Sequence, residues 1–192
     1  MNNCRGHESA DMKIIGTDNP DILLLEPRLF PDERGFFLEA WNARIFRNEI
    51  KLDMQFVQDN HSRSTRNVLR GLHYQIKQPQ GKLVRVARGR IFDVAVDLRK
   101  SKPTFGQWVG HELSEDNHRE LWIPPGFAHG FLVLSEIADV LYKSTDYYAP
   151  ESERCLIWND PAVAIAWPLN GEPVLSPKDR SGLPLAKAEL FA

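Results

Sequence analysis

Two cysteines in 192 residues, Cys4 and Cys155, are too few for a disulfide framework. The simplest setting for them is reducing and cytoplasmic. No apolar run approaches the length needed to span a membrane. Charge of one sign is also missing: the formal net charge is -2. That leaves no general field to attract nucleic acid or anionic lipid, so an anionic ligand must be held by local arginines and lysines. Repeats, low-complexity blocks and long Pro/Gly/Ser linkers are absent as well. A single domain is therefore expected over residues 13–192, with enough chain to bury a core. Residues 1–12 read as a disordered polar tail, without the apolar stretch of a signal peptide.

What the chain does contain is period-two patterning. Short apolar segments at Ile14-Ile15 and Ile22 to Leu25 come first, then a strand-like Gly35 to Trp41. Asn42 to Lys51 is the best helix candidate, with Asn42 as its cap and helical spacing of Ile45, Phe46 and Glu49. Beyond residue 54 strands dominate. Lys82 to Ala87 and Ile91 to Leu98 flank Arg88-Gly89-Arg90, which predicts a hairpin. Gly130 to Leu134 and Ala138 to Thr145 predict a second pair around Ser135-Glu136. Within Ile91 to Leu98, Phe92, Val94, Val96 and Leu98 alternate with Asp93, Ala95 and Asp97. Many short strands punctuated by Gly and Pro indicate an all-β sandwich or barrel. Prolines at 161, 168, 173, 177 and 184 make the tail from Asp160 irregular, lying over that barrel.

The chemistry gathers around Arg70-Gly71-Leu72-His73-Tyr74-Gln75 and Gln80-Gly81-Lys82-Leu83-Val84-Arg85-Val86. A histidine that accepts a proton, beside an ammonium that holds a developing oxyanion, suits deprotonation of carbon next to a carbonyl. His129, Tyr142 and Asp179 can complete such a site. Read alone, each has a plainer alternative. Arg70 and Asp93 can be an internal ion pair that fixes strand register, Tyr142 a core aromatic, and Lys178-Asp179-Arg180 a solvated turn. His61, His111 and His118 read as surface or structural residues.

Gly71-Leu72-His73 and Pro124-Pro125-Gly126-Phe127-Ala128-His129 together resemble the two halves of a cupin double-stranded β-helix, a jelly-roll barrel. A metal-binding cupin carries further ligands where this chain has Gln75 and Gln78, so no metal is expected. The ordered blocks narrow the resemblance. They are Pro27 to Glu39, Phe56 to Ser62, Val68 to Gln75, Gln80 to Val86, Gly89 to Arg99, Pro124 to Phe131 and Leu141 to Tyr148. In order and spacing the chain is similar to the dTDP-4-dehydrorhamnose 3,5-epimerase family over roughly residues 13 to 185.

That resemblance implies a substrate, dTDP-4-dehydro-6-deoxy-D-glucose, whose C3 and C5 hydrogens are both α to the C4 ketone. His73 would be the base, Lys82 the stabiliser of the enolate oxygen, Tyr142 the proton donor at C5 and Asp179 the partner that orients His73. The substrate contacts it implies are Arg34, Glu39, Gln58, Asn60, Arg70, Glu153 and Lys178, with His129 near the ketone. Phe36 or Phe37 and Tyr148 would pack on the thymine, and Arg34 and Arg70 would hold the diphosphate. No cofactor is implied. The family commonly forms a homodimer with exchanged N-terminal strands, for which Ile22 to Leu25 is the expected segment. The competing readings are a C3-only or C5-only epimerase, a non-catalytic cupin that binds a sugar or nucleotide, and a metal-dependent cupin enzyme.

Overall fold

The structure, a computed structural model, describes residues 12–192. Cys4, His7 and all of the expected tail except Met12 lie outside the described residues. Met12 is buried and begins β1 (Met12–Ile15), so it belongs to the fold. Twelve further strands follow. They are β2 (Leu23–Pro27), β3 (Leu29–Asp32), β4 (Gly35–Leu38), β5 (Gln58–Thr65), β6 (Leu69–Gln75) and β7 (Lys82–Arg88). Then come β8 (Arg90–Asp97), β9 (Trp108–Ser114), β10 (Glu120–Ile123), β11 (Phe127–Val133), β12 (Ile137–Ser144) and β13 (Glu153–Cys155).

Eleven of the strands form two packed sheets, a six-stranded one in the order β1-β2-β10-β7-β12-β5 and a five-stranded one in the order β13-β6-β11-β8-β9. From β5 to β8, and again from β9 to β13, each strand lies in the sheet opposite the one before it. The result is a cupin-like jelly roll. β3 and β4 stand apart as a two-stranded hairpin with Phe30, Phe36 and Phe37 exposed.

This alternation overturns both predicted hairpins. β7 pairs with β10 and β12, whereas β8 pairs with β9 and β11. Gly89, at φ +78°, is therefore a corner between sheets rather than a hairpin turn. A Cβ there would meet the Ile137 carbonyl oxygen at 2.0 Å, so only glycine fits where the corner crosses the start of β12. β11 and β12 likewise belong to different sheets, with Ser135-Glu136 at the crossing. A tight turn with strands on both sides looks the same in sequence whether the strands pair or part.

The alternation in β8 holds. Ile91 and Ala95 join the core between the sheets, packed on Val84, Val86, Leu121 and Phe131. Val94, Val96 and Leu98 join a second cluster, closed by Ile165, Trp167, Leu190 and Phe191 from the proline-rich tail. The tail thus covers the outer face of the five-stranded sheet, which explains why both faces of β8 are buried. Asn42 caps a short helix, α1 (Ala43–Ile45), accepting from the Arg44 N–H at 3.0 Å. A single π-helical turn over Phe46–Ile50 follows it. Their apolar residues Ile45, Phe46 and Ile50 pack on Leu25, Leu83 and Trp122 of the six-stranded sheet.

Candidate active site

Two glycines build one wall. On β6, a Cβ at Gly71 would lie 2.6 Å from the Gly130 Cα, and one at Gly130 would lie 2.6 Å from the Arg70 carbonyl oxygen. Without side chains there, β6 and β11 approach closely, and β11 shifts register between His129 and Phe131. His73 and His129 become direct cross-strand partners.

Each histidine is backed by a carboxylate. His73 Nε2 lies 2.7 Å from Asp179 Oδ1, and His129 Nε2 lies 2.8 Å from Asp93 Oδ1. An ionised carboxylate at Nε2 fixes that nitrogen as the protonated one and leaves Nδ1 with the lone pair. Asp179 is itself fixed by α2 (Pro177–Arg180). Ser176 caps this helix and donates from Oγ to Asp179 Oδ2 at 2.6 Å, while the Gly71 N–H donates to Oδ1 at 3.2 Å. Burial alone would raise the Asp179 pKa. The hydrogen bonds from His73, Ser176 and Gly71, with the charge of His73, hold it at about 2.

The opposite wall is the six-stranded sheet. Lys82 opens β7 beside Ser144 of β12, and Tyr142 of β12 sits between Asn60 of β5 and Val84 of β7. Lys82 is buried, which pulls its pKa down to about 8 against the opposing charges of Glu153 and Asp93. Burial raises the Tyr142 pKa, with Arg70 opposing and Glu153 adding to the rise, so the phenol keeps its proton at neutral pH. Among the described residues neither side chain has a hydrogen-bond partner, in contrast to the two histidines. The polar alternation of β5 runs Gln58, Asn60, Ser62, and the buried Asn60 Nδ2 and Ser62 Oγ have no partner among the described residues. Both atoms are free to bond a molecule that enters the cavity.

A cavity of about 320 Å³ lies between the walls, lined by His73, His129, Lys82, Tyr142, Gln58, Asn60, Arg70, Tyr148 and Glu153 among others. All four residues expected to do chemistry converge, since Asp179 is reached through His73. At the rim Glu153 accepts from Tyr148 Oη at 2.8 Å and pairs with Lys178, which is how Lys178 joins the site. Burial would raise the Glu153 pKa, but Lys178 and Tyr148 hold it down.

Three expected contacts are not brought together here. Arg34 and Phe37 are exposed on the β3–β4 hairpin, with Arg34 bound to Asp32, and Glu39 accepts from Asn42 Nδ2 at 2.9 Å. None of them lines this cavity. The pairing of Arg70 with Asp93 is also absent: Arg70 donates to Ser64 Oγ at 2.9 Å, and Asp93 holds His129. Nor is Lys178-Asp179-Arg180 a solvated turn, because Asp179 is buried. Ile22, Leu24 and Leu25 are buried, Ile22 and Leu24 in the main core and Leu25 under the short helix, and β2 pairs with β10 within the chain.

Sequence reasoning missed Ser176, although Ser-Pro-x-Asp is a readable helix start with Pro at the first position. It also missed the role of Asp93, which only the register of β8 against β11 reveals. At Gln75, where a metal cupin has a ligand, the side-chain amide donates to the Gln78 and Tyr147 carbonyls and accepts from the Ala149 N–H. Both its ends are occupied by the chain.

Comparison with known proteins agrees with this geometry. The family model described as dTDP-4-dehydrorhamnose 3,5-epimerase matches residues 16–187. A dTDP-4-dehydrorhamnose 3,5-epimerase of Pseudomonas aeruginosa is 62% identical over 180 residues, covering 94% of this chain and 99% of that protein. One from Salmonella typhimurium is 57% identical, covering 93% and 98%. The crystal structure of a dTDP-6-deoxy-D-glucose-3,5-epimerase from Legionella pneumophila, in complex with dTDP-4-keto-L-rhamnose, superposes with a TM-score of 0.91 at 53% identity, covering 93% of this chain and 95% of that one. With a match of this extent and a cavity walled by paired histidines, a lysine and a tyrosine, the chain belongs to the dTDP-4-dehydrorhamnose 3,5-epimerase family.

Proposed function

We propose that this protein epimerises dTDP-4-dehydro-6-deoxy-D-glucose at C3 and C5, giving dTDP-4-dehydro-L-rhamnose. The observation that carries the reading is the division of labour between the walls, with a carboxylate-backed histidine on one sheet and a protonated phenol on the other. Inversion at carbon needs a proton to leave one face and another to arrive on the opposite face.

In this reading His73 Nδ1 takes the proton α to the C4 ketone, at C3 and at C5 in turn. Asp179 holds the ring and stabilises the imidazolium that forms. The enolate oxygen lies near the buried Lys82 ammonium, whose attraction for it grows as the oxygen gains charge. His129, held by Asp93, completes the polar wall beside that oxygen. Tyr142 donates to C5 from the six-stranded sheet. Gln58, Asn60 and Glu153 bind the sugar and nucleotide, Arg70 a phosphate, and Tyr148 packs on the base. Each epimerisation balances, one C–H bond broken and one formed, so the reaction consumes no cofactor.

Arg34, Phe37 and Glu39 serve a second copy in this reading. The exposed aromatic β3–β4 hairpin, rather than Ile22 to Leu25, is the element that reaches a partner's cavity in a cytoplasmic homodimer. Proton NMR of the product formed with a coupled NADPH-dependent 4-ketoreductase tests the function. dTDP-L-rhamnose supports it; a product inverted at one carbon makes this a mono-epimerase, and unchanged substrate refutes catalysis on this sugar.

A further inference from the structure

Cys155 lies beside the His73–Asp179 pair, and the proposed chemistry leaves it unused. β13 sets it directly opposite His73, so the two side chains leave the same face of the sheet. A ring nitrogen of His73, the Cys155 Sγ and a carboxylate oxygen of Asp179 all lie within 4.8 Å of one another. Among the described residues no other trio of histidine, cysteine and acidic groups comes so close.

The donor set is chemically selective. Imidazole, thiolate and carboxylate together suit a borderline-soft ion such as zinc or cobalt(II), and suit magnesium or calcium poorly. Metal–ligand bonds of about 2.0–2.3 Å put tetrahedral donors about 3.3–3.8 Å apart, so the trio needs to adjust by about an ångström. Asp179 is already aimed from behind. Ser176 Oγ and the Gly71 N–H hold its carboxylate, as outer partners do in built metal sites. His73 lines the cavity, and Cys155 lines a neighbouring surface pocket with Lys178 and Glu153.

We propose that His73, Cys155 and Asp179 form an inhibitory site for a single thiophilic divalent cation of the zinc class, which disables the base when bound. The step balances without a redox partner. The Cys155 thiol releases its proton to solvent as the S–metal bond forms. The His73 ring proton moves from Nε2 to Nδ1, which removes the lone pair the base uses, and Nε2 binds the ion, so that the His73–Asp179 hydrogen bond is replaced by two bonds to the ion. Inhibition rests on the reading of His73 as base; binding does not.

The test uses the full chain carrying Cys4→Ser, so that Cys155 is its one thiol. Cobalt chloride titration should raise a thiolate-to-cobalt charge-transfer band that saturates at one ion per chain, and Cys155→Ala should abolish it. In the epimerase assay with buffered free zinc, Cys155→Ala should keep its metal-free activity and need at least about tenfold more zinc for half inhibition. Circular dichroism verifies that the variant is folded. No band, a band that survives Cys155→Ala, or equal zinc sensitivity overturns the proposal, and a band without inhibition overturns its regulatory half. A metal-free protein without epimerase activity would refute the function while the cobalt band still decides the site.

Discussion

The two walls of the cavity are built on opposite principles. On the five-stranded sheet each histidine of the cavity is tied down through Nε2, His73 to Asp179 at 2.7 Å and His129 to Asp93 at 2.8 Å, with Ser176 and Gly71 locking Asp179 in turn. On the six-stranded sheet Lys82 and Tyr142 have no such partners and are tuned by burial, the ammonium downward and the phenol upward. The difference suits the proposed chemistry. A base that works on two carbons must present one lone pair in a fixed direction, which hydrogen bonds supply. An oxyanion stabiliser and an acid must respond to charge appearing beside them, and a desolvated, unpartnered group responds most strongly.

Breaking the tied wall should cost most. His73→Ala removes the base, and kcat is expected to fall by about 10²–10⁴-fold with substrate binding retained, read by steady-state kinetics and calorimetry. Lys82→Met on the other wall should cost about 10²–10³-fold, all of it in kcat if the ammonium acts on the enolate rather than on the ground-state ketone. The pH profile sharpens the same point. Lys82 is charged below its pKa of about 8, so the rate should decline as pH rises through that value. Residual activity in Lys82→Met should lack this alkaline limb. Tyr142→Phe should separate the two carbons, suppressing inversion at C5 while proton exchange continues, as seen by NMR of the sugar.

The smallest effect on activity is expected from Glu120, a buried carboxylate of the six-stranded sheet that does not line the catalytic cavity. Both its oxygens lack partners, and burial raises its pKa from 4.5 to about 8. Between those values the unfolded chain ionises while the folded chain stays protonated. The unfolded state then binds fewer protons, and the stability contributed by this group falls as pH rises across the window. Glu120→Gln should therefore stabilise the fold at pH 8 by about 1–3 kcal/mol and change little at pH 4.5, with kcat unaltered. Urea denaturation at the two pH values measures it.

How much of this was legible in the sequence depends on the range of the interaction. The alternation of β8, the Asn42 cap and the glycine beside His73 are local features, and all were readable. The corner at Gly89 was not, because whether flanking strands pair depends on β10, β11 and β12, far along the chain. Lys178-Asp179-Arg180 shows the same limit. It has the composition of a surface turn, and what buries Asp179 is a histidine more than a hundred residues away. The four chemical residues came from the family resemblance as much as from their own pattern. The hairpin residues Arg34, Phe37 and Glu39 came from that resemblance alone, and a single chain does not bring them to the cavity.

The most direct test of the division between walls is deuterium incorporation in D₂O, followed by proton NMR of dTDP-4-dehydro-6-deoxy-D-glucose with the unaltered protein and with His73→Ala. The account predicts deuterium at both C3 and C5 with inversion in the first, and no exchange at either carbon in a folded, substrate-binding His73→Ala. Exchange at the normal rate in that variant would contradict it, because the proton would then be leaving to a group on some other wall.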